Sequence, residues 1–273
     1  MNGDERLKTF KSITKQDSTL IDKNVDSGYS VSDMNLLIKE FAREQNADFF
    51  NWINVFEKTQ YQPNLNQDSA VSSVVYFYDD SLDWFKMLNY YAKSKMSKEF
   101  KLVVPVIMYP KQNSGKDSHY CCISFDFRPE TDTVDILLLE QHAMLDKTDK
   151  DYDEKLDYSE LINYNLSALK AYCEKILGYT NVKAIRNEKP ISRRKRVCGV
   201  VASELVHKLL STKKTSDLIN LSVVLSYEDI DKLHERNKKI VKNIVLKNTS
   251  KNIQQETTIN TVELRSQNNQ VDY

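Results

Sequence analysis

The order of the elements predicts an α+β fold. Helical patterns come first, a β-rich stretch fills the middle, and helices return at the end. Two signals support this order. The texture changes near residue 100, from helical periodicity to strand-sized apolar runs such as Leu102–Tyr109 and Val134–Glu140. Only 5 Gly and 5 Pro stand against 29% charged residues in 273, which favours long helices over a many-turned all-β chain.

Each segment supplies its own reason. Residues 1–30 lack apolar periodicity and read as a mostly disordered, polar stretch. Residues 31–97 form a helical N-terminal region. Ser32–Asp33 caps a pattern carrying Met34, Leu37, Ile38 and Phe41. Phe49–Phe56 suits a second helix, Val71–Tyr78 is apolar without a clear period, and Asp79–Met96 has a strong apolar face. Residues 98–213 form the α+β core. Pro105 inside Leu102–Tyr109 favours an edge strand or a bulge. His119–Phe127 and Val134–Glu140, joined by a turn at Pro129–Thr133, read as a β-hairpin. Tyr158–Leu177 is a helix closed by Gly178, Asn181–Arg186 a short strand, and Cys198–Leu210 an amphipathic helix. Residues 214–246 hold a last helix capped by Ser226, and 247–273 a polar tail.

Bulk properties exclude several classes. Lys plus Arg and Asp plus Glu both number 39, so no global field draws the chain to nucleic acid. No apolar run approaches the roughly 20 residues a membrane helix needs. The four cysteines, Cys121, Cys122, Cys173 and Cys198, have no zinc-type spacing and are too few for a disulfide framework in a chain this long.

Three residues sit where chemistry is possible. His119 opens one hairpin strand and Glu140 closes the other, so antiparallel pairing makes them near neighbours. A carboxylate beside an imidazole fixes its tautomer and stabilises the imidazolium. Asp135 is an odd number of residues from Glu140 and faces the other side. Cys198 starts a helix, where unpaired N–H groups favour a thiolate. The run Arg193–Arg196 pushes the same way, and Gly199 leaves backbone open to a substrate carbonyl. Taken alone, a cysteine at a helix start is ordinarily a packed thiol. His142, His207 and His234 are the alternative bases, and His207 is about two and a half turns from Cys198.

The stretches Ser118–Asp126, Asp135–Glu140, Cys198–Leu209 and Ile230–Ile240, in that order, resemble the YopJ family of bacterial effector acetyltransferases. That family shares the papain-like core of ubiquitin-like-protein proteases. The resemblance implies such a core with a flanking helical regulatory region and a His119–Glu140–Cys198 triad. It implies ping-pong transfer of acetyl from acetyl-CoA through Cys198 to Ser, Thr or Lys of host signalling proteins, MAP kinase kinases among them. It further implies secretion from a bacterium into the host cytoplasm, residues 1–30 serving as leader. Inositol hexakisphosphate is the implied activator, with His234, Arg236, Lys238 and Lys239 as its basic face and Arg43 as a further candidate. The glutamine that many relatives carry shortly before the cysteine is missing from Ile191–Val197, so the oxyanion donor is unassigned. Two other expectations stand beside acetyl transfer. One is a cysteine protease of the same fold acting on ubiquitin or a ubiquitin-like modifier. The other is an inactive decoy that binds host kinases.

Overall fold

The computed structural model describes residues 20–51, 66–77, 88, 98–108, 118–142, 148, 157–212, 218 and 224–268, with side chains given as far as residue 247. The expected α+β architecture is what it contains. Seven strands form one sheet: β1 (Asp48–Phe50), β2 (Ser69–Ser72), β3 (Val75–Phe77), β4 (Phe100–Met108), β5 (His119–Arg128), β6 (Thr133–Glu140) and β7 (Asn181–Arg186). Their order is β1-β2-β4-β5-β6-β7, with β3 also beside β4. Among the described residues four α-helices flank it: α1 (Val31–Glu44), α2 (Ser159–Lys175), α3 (Cys198–Ser211) and α4 (Tyr227–Asn268).

Strand alternation divides the core between the two sheet faces. Val103, Ile107, Tyr120, Cys122, Leu137 and Leu139 pack with α1, α3 and α4. Leu102, Val104, Cys121, Ile123, Ile136 and Leu138 pack with α2 on the other side. The β5–β6 hairpin forms as expected, its turn closed by Asp132 in a left-handed conformation, φ 52°. The four cysteines are free, and Cys121 and Cys122 face opposite layers.

Some expectations change. Residues 20–30 are ordered, with Leu20 and Tyr29 buried. The α1 cap is Ser30, one step earlier in a full capping box with Asp33. Phe49 and Phe50 lie in a strand rather than a helix, pairing with β2. Residues 52–65, and 79–96 apart from buried Leu88, lie outside the described residues. Strand β4 is interior although it contains Pro105. It pairs with β2 over Lys101–Val103 and with β3 over Val106–Met108, so proline falls in the gap between the two ladders. Helix α4 continues to Asn268 instead of giving way to a polar tail, since residues 247–268 contain neither Gly nor Pro.

Candidate active site

In the β5–β6 register Cys121 lies opposite Glu140, which makes His119 a diagonal neighbour of Glu140 on the same face. His119 Nε2 stands 3.0 Å from Glu140 Oε2, with both side chains 3% exposed. The same oxygen accepts the His142 N–H at 3.1 Å. Asn187, just past β7, fixes the backbone of Glu140. Its Oδ1 accepts the Glu140 N–H at 3.0 Å, and its Nδ2 donates to the Glu140 carbonyl at 2.9 Å. The His119 ring also stacks on Tyr158, 5.0 Å between centroids, and on His142, 5.7 Å. The imidazole is therefore held by a carboxylate and two rings.

Helix α3 begins at Cys198. Val197 offers no side-chain cap, so the N–H groups of the first turn keep donor capacity. Cys198 is partly exposed, unlike the other three cysteines. Burial opposes ionisation of its thiol. Hydrogen bonding to His119, the charge of that ring, and the N–H groups of Tyr120 and Gly199 outweigh burial and hold the pKa below the ordinary value. For His119 burial again opposes the charged form, but hydrogen bonds to Cys198 and Glu140 raise the pKa to about 10. Thiolate and imidazolium thus stabilise each other. Burial pushes Cys121 and Cys122 up, and Cys173 to about 12, which marks them as inert.

Two expected contributions shift. Arg194, from the basic run, turns to Asp26 at 3.1 Å and Asp231 at 2.6 Å. The thiol is depressed by His119 and two backbone N–H groups instead. The missing side chain of Gly199 makes room for Tyr29 rather than a substrate: a Cβ there would meet Tyr29 Cβ at 2.8 Å.

The loop before Cys198 is tied down. The Gln141 carbonyl accepts the Ile191 N–H at 2.8 Å, and its side-chain amide donates to the Arg194 carbonyl. Arg196 takes a left-handed φ of 61°, which costs on the order of 1 kcal/mol and needs such tethers. Arg186, Asn187, Gln141, His142 and Tyr158 were not singled out as supports in the sequence. Apart from Tyr158, which precedes α2, their only signal there is a polar residue ending or following a strand.

The basic candidates on α4 do not share one free face. His234 is 3% exposed and bonded through both ring nitrogens, to Tyr29 Oη at 3.0 Å and the Lys23 carbonyl at 3.1 Å. Arg236 pairs with Glu204 at 2.9 Å, and Lys238 with Glu235 at 3.3 Å. Lys239 is exposed. On α1, Arg43 pairs with Glu40 at 2.6 Å. Asp135 binds Arg128 at 2.5 Å, and His207 lies near Glu44 at 3.8 Å.

Fold and site together define a papain-like α+β core with a cysteine at the head of a helix and its histidine at the head of a strand. Solved structures with a similar fold include the Legionella pneumophila effector protein RavZ. One matches with a TM-score of 0.55 and 11% identity, over 81% of this chain and 65% of that one. A second, of RavZ residues 20–502, matches with 0.52 and 11%, over 83% and 66%. The chain thus spans just under two thirds of RavZ. A slighter likeness, TM-score 0.41 and 13% identity over 77% and 67%, is to the ASFV pS273R protease and carries no weight. No protein-family model and no curated protein sequence matches the chain. Among the described residues no helix is long and apolar enough to cross a membrane.

Proposed function

We propose that the protein is a bacterial effector cysteine protease acting on ubiquitin or a ubiquitin-like modifier. The observation that carries the proposal is the Cys198 thiol, depressed by a His119 ring that Glu140 holds at 3.0 Å. In the reaction the thiolate adds to the scissile carbonyl. His119 gives its proton to the leaving amine, and water activated by the same ring releases the acyl group. The head of α3 has no side-chain cap, so its first-turn backbone N–H groups are the candidate oxyanion donors in place of the missing glutamine. The fold likeness to a bacterial effector supports delivery into a host cell, where host proteins are the partners. The ubiquitin-like substrate class rests on the sequence resemblance to a core shared with ubiquitin-like-protein proteases.

Acetyl transfer is the second reading, favoured by the order and wording of the four motifs. Its thioester would form on the same Cys198, with acetyl-CoA as donor and host signalling proteins as acceptors. Its activator, inositol hexakisphosphate, would have to displace the contacts of His234, Arg236 and Lys238.

The deciding experiment offers the full-length protein a panel of ubiquitin-like proteins bearing C-terminal electrophiles. In parallel it offers labelled acetyl-CoA with and without inositol hexakisphosphate. The protease reading expects a covalent adduct with at least one modifier, absent in Cys198→Ala. Label transfer dependent on Cys198, with no adduct, would replace it by the transferase. Neither product leaves a decoy.

A further inference from the structure

Arg186 closes β7 and stands in parallel register with Leu138, two residues before Glu140. Its side chain is 10% exposed. Nη1 donates to Asn163 Oδ1 at 3.3 Å. Nη2 lies 3.9 Å from Glu140 Oε1, the carboxylate oxygen that His119 does not use. Nε and Nη2 have no hydrogen-bond partner among the described residues. A buried cation with unanswered N–H groups is costly. Among the described residues no backbone carbonyl is capped by these two nitrogens. What the guanidinium does face is the free oxygen of the carboxylate that orients His119.

We infer that Arg186 is a positioning residue whose guanidinium holds the Glu140 carboxylate with its Oε2 turned to His119. The inference rests on the reading of Cys198 and His119 as the reacting pair. A Glu140 carboxylate turned away from His119 would leave the imidazolium without its counter-charge, and the proton would return from His119 to the thiolate. Several groups face Glu140. From β5 come His119 and Cys121, after β6 the His142 backbone N–H, and from β7 Arg186. Among the described residues Asp157, ahead of α2, is a further anion near the guanidinium. Burial lowers the Arg186 pKa while Glu140 and Asp157 raise it, and an arginine so placed keeps its proton throughout the working range. Arg186 is thus the cation set against Glu140 that does not itself titrate there.

The test needs no substrate. Alkylation of Cys198 by iodoacetamide, followed by intact mass across pH, reads the thiolate in the native full-length protein. Arg186→Met is expected to move the acidic limb of that profile up by about one pH unit. Two effects share this direction: Glu140 is no longer held against the imidazolium, and a positive charge near the thiolate is lost. Arg186→Lys keeps the charge and is expected to return most of the shift. Asn163→Asp is an exposed change that offers the guanidinium a competing carboxylate. It is expected to move the limb the same way by less, and it decides the matter if Arg186→Met does not fold. A profile of reduced amplitude with its midpoint in place, for both Arg186→Met and Asn163→Asp, overturns the inference. A wild-type Cys198 no more reactive at pH 7 than a free thiol overturns the parent reading instead, and this one with it.

Discussion

Two buried histidines, His119 and His234, each meet a tyrosine, and their corners of the molecule behave differently. His119 stacks on Tyr158 and is flanked by a carboxylate and a thiol, both ionisable. His234 is bonded to the Tyr29 hydroxyl and to a backbone carbonyl, both neutral. The first set of partners changes charge when the imidazole does, so a proton can be moved there. The second set fills hydrogen-bonding capacity and holds α4 against residues 20–30. Asn237 extends that bracing, reaching Tyr29 Oη at 3.2 Å and Ser203 Oγ, on the nucleophile helix, at 2.8 Å. Burial and ring contacts are common to both corners. The chemistry of the neighbours separates a candidate base from a structural pin.

The sharpest way to break this contrast is Glu140→Gln. The amide keeps the shape and loses the charge, so the ring is no longer stabilised as imidazolium. On whichever substrate the probe panel identifies, kcat/KM is expected to fall by on the order of 10³–10⁴-fold. Stability follows with a definite sign. The folded pKa of His119 is raised to about 10 from an ordinary 6.5. Its contribution is therefore fully present below pH 6.5 and is lost as pH rises through 10. The Tm difference between wild type and Glu140→Gln should be largest near pH 6 and shrink toward pH 10. A difference that grows with pH would sink the assignment.

A smaller effect is expected at the seam between the corners. In Gly199→Ala the new methyl meets Tyr29 Cβ at 2.8 Å and Cγ at 2.9 Å, atoms near the backbone that cannot swing aside. Overpacking of this kind costs about 1–3 kcal/mol, measurable by urea denaturation. On a Tyr29→Gly background the same substitution should cost less, and a double-mutant cycle would report that coupling. Additive losses would show that Tyr29 is not what occupies the space.

Much of this was legible where local pattern decides. The hairpin could be read because Ile123, Phe125, Ile136 and Leu138 alternate with residues of the opposite layer, and because Pro129 opens its turn. That reading alone brought His119 beside Glu140, and the head of α3 placed Cys198. The supports were not legible, since they come from distant pairings. Arg186 and Asn187 reach Glu140 only because β7 returns parallel to β6 after α2. Pro105 misled for a related reason: only the change of partner from β2 to β3 explains a proline in an interior strand. Tyr29 lay in a polar stretch whose composition concealed a fitted contact with Gly199.

Tyr29→Phe gives the smallest effect and the finest cut. Removing the hydroxyl leaves His234 Nδ1 without its buried partner, while Asn237 Nδ2 keeps Ser203. The ring remains, so the packing against Gly199 is unchanged. The expected cost is about 1–2 kcal/mol, because the hydroxyl partners both His234 and Asn237 in a buried site. Activity per folded molecule should stay at the wild-type level, because neither His119 nor Cys198 loses a partner. If Tyr29→Phe instead lowered kcat/KM as steeply as Glu140→Gln, without a matching loss of Tm, the His234 corner would belong to the reaction. The division drawn here between proton-moving and merely bracing histidines would then have to be abandoned.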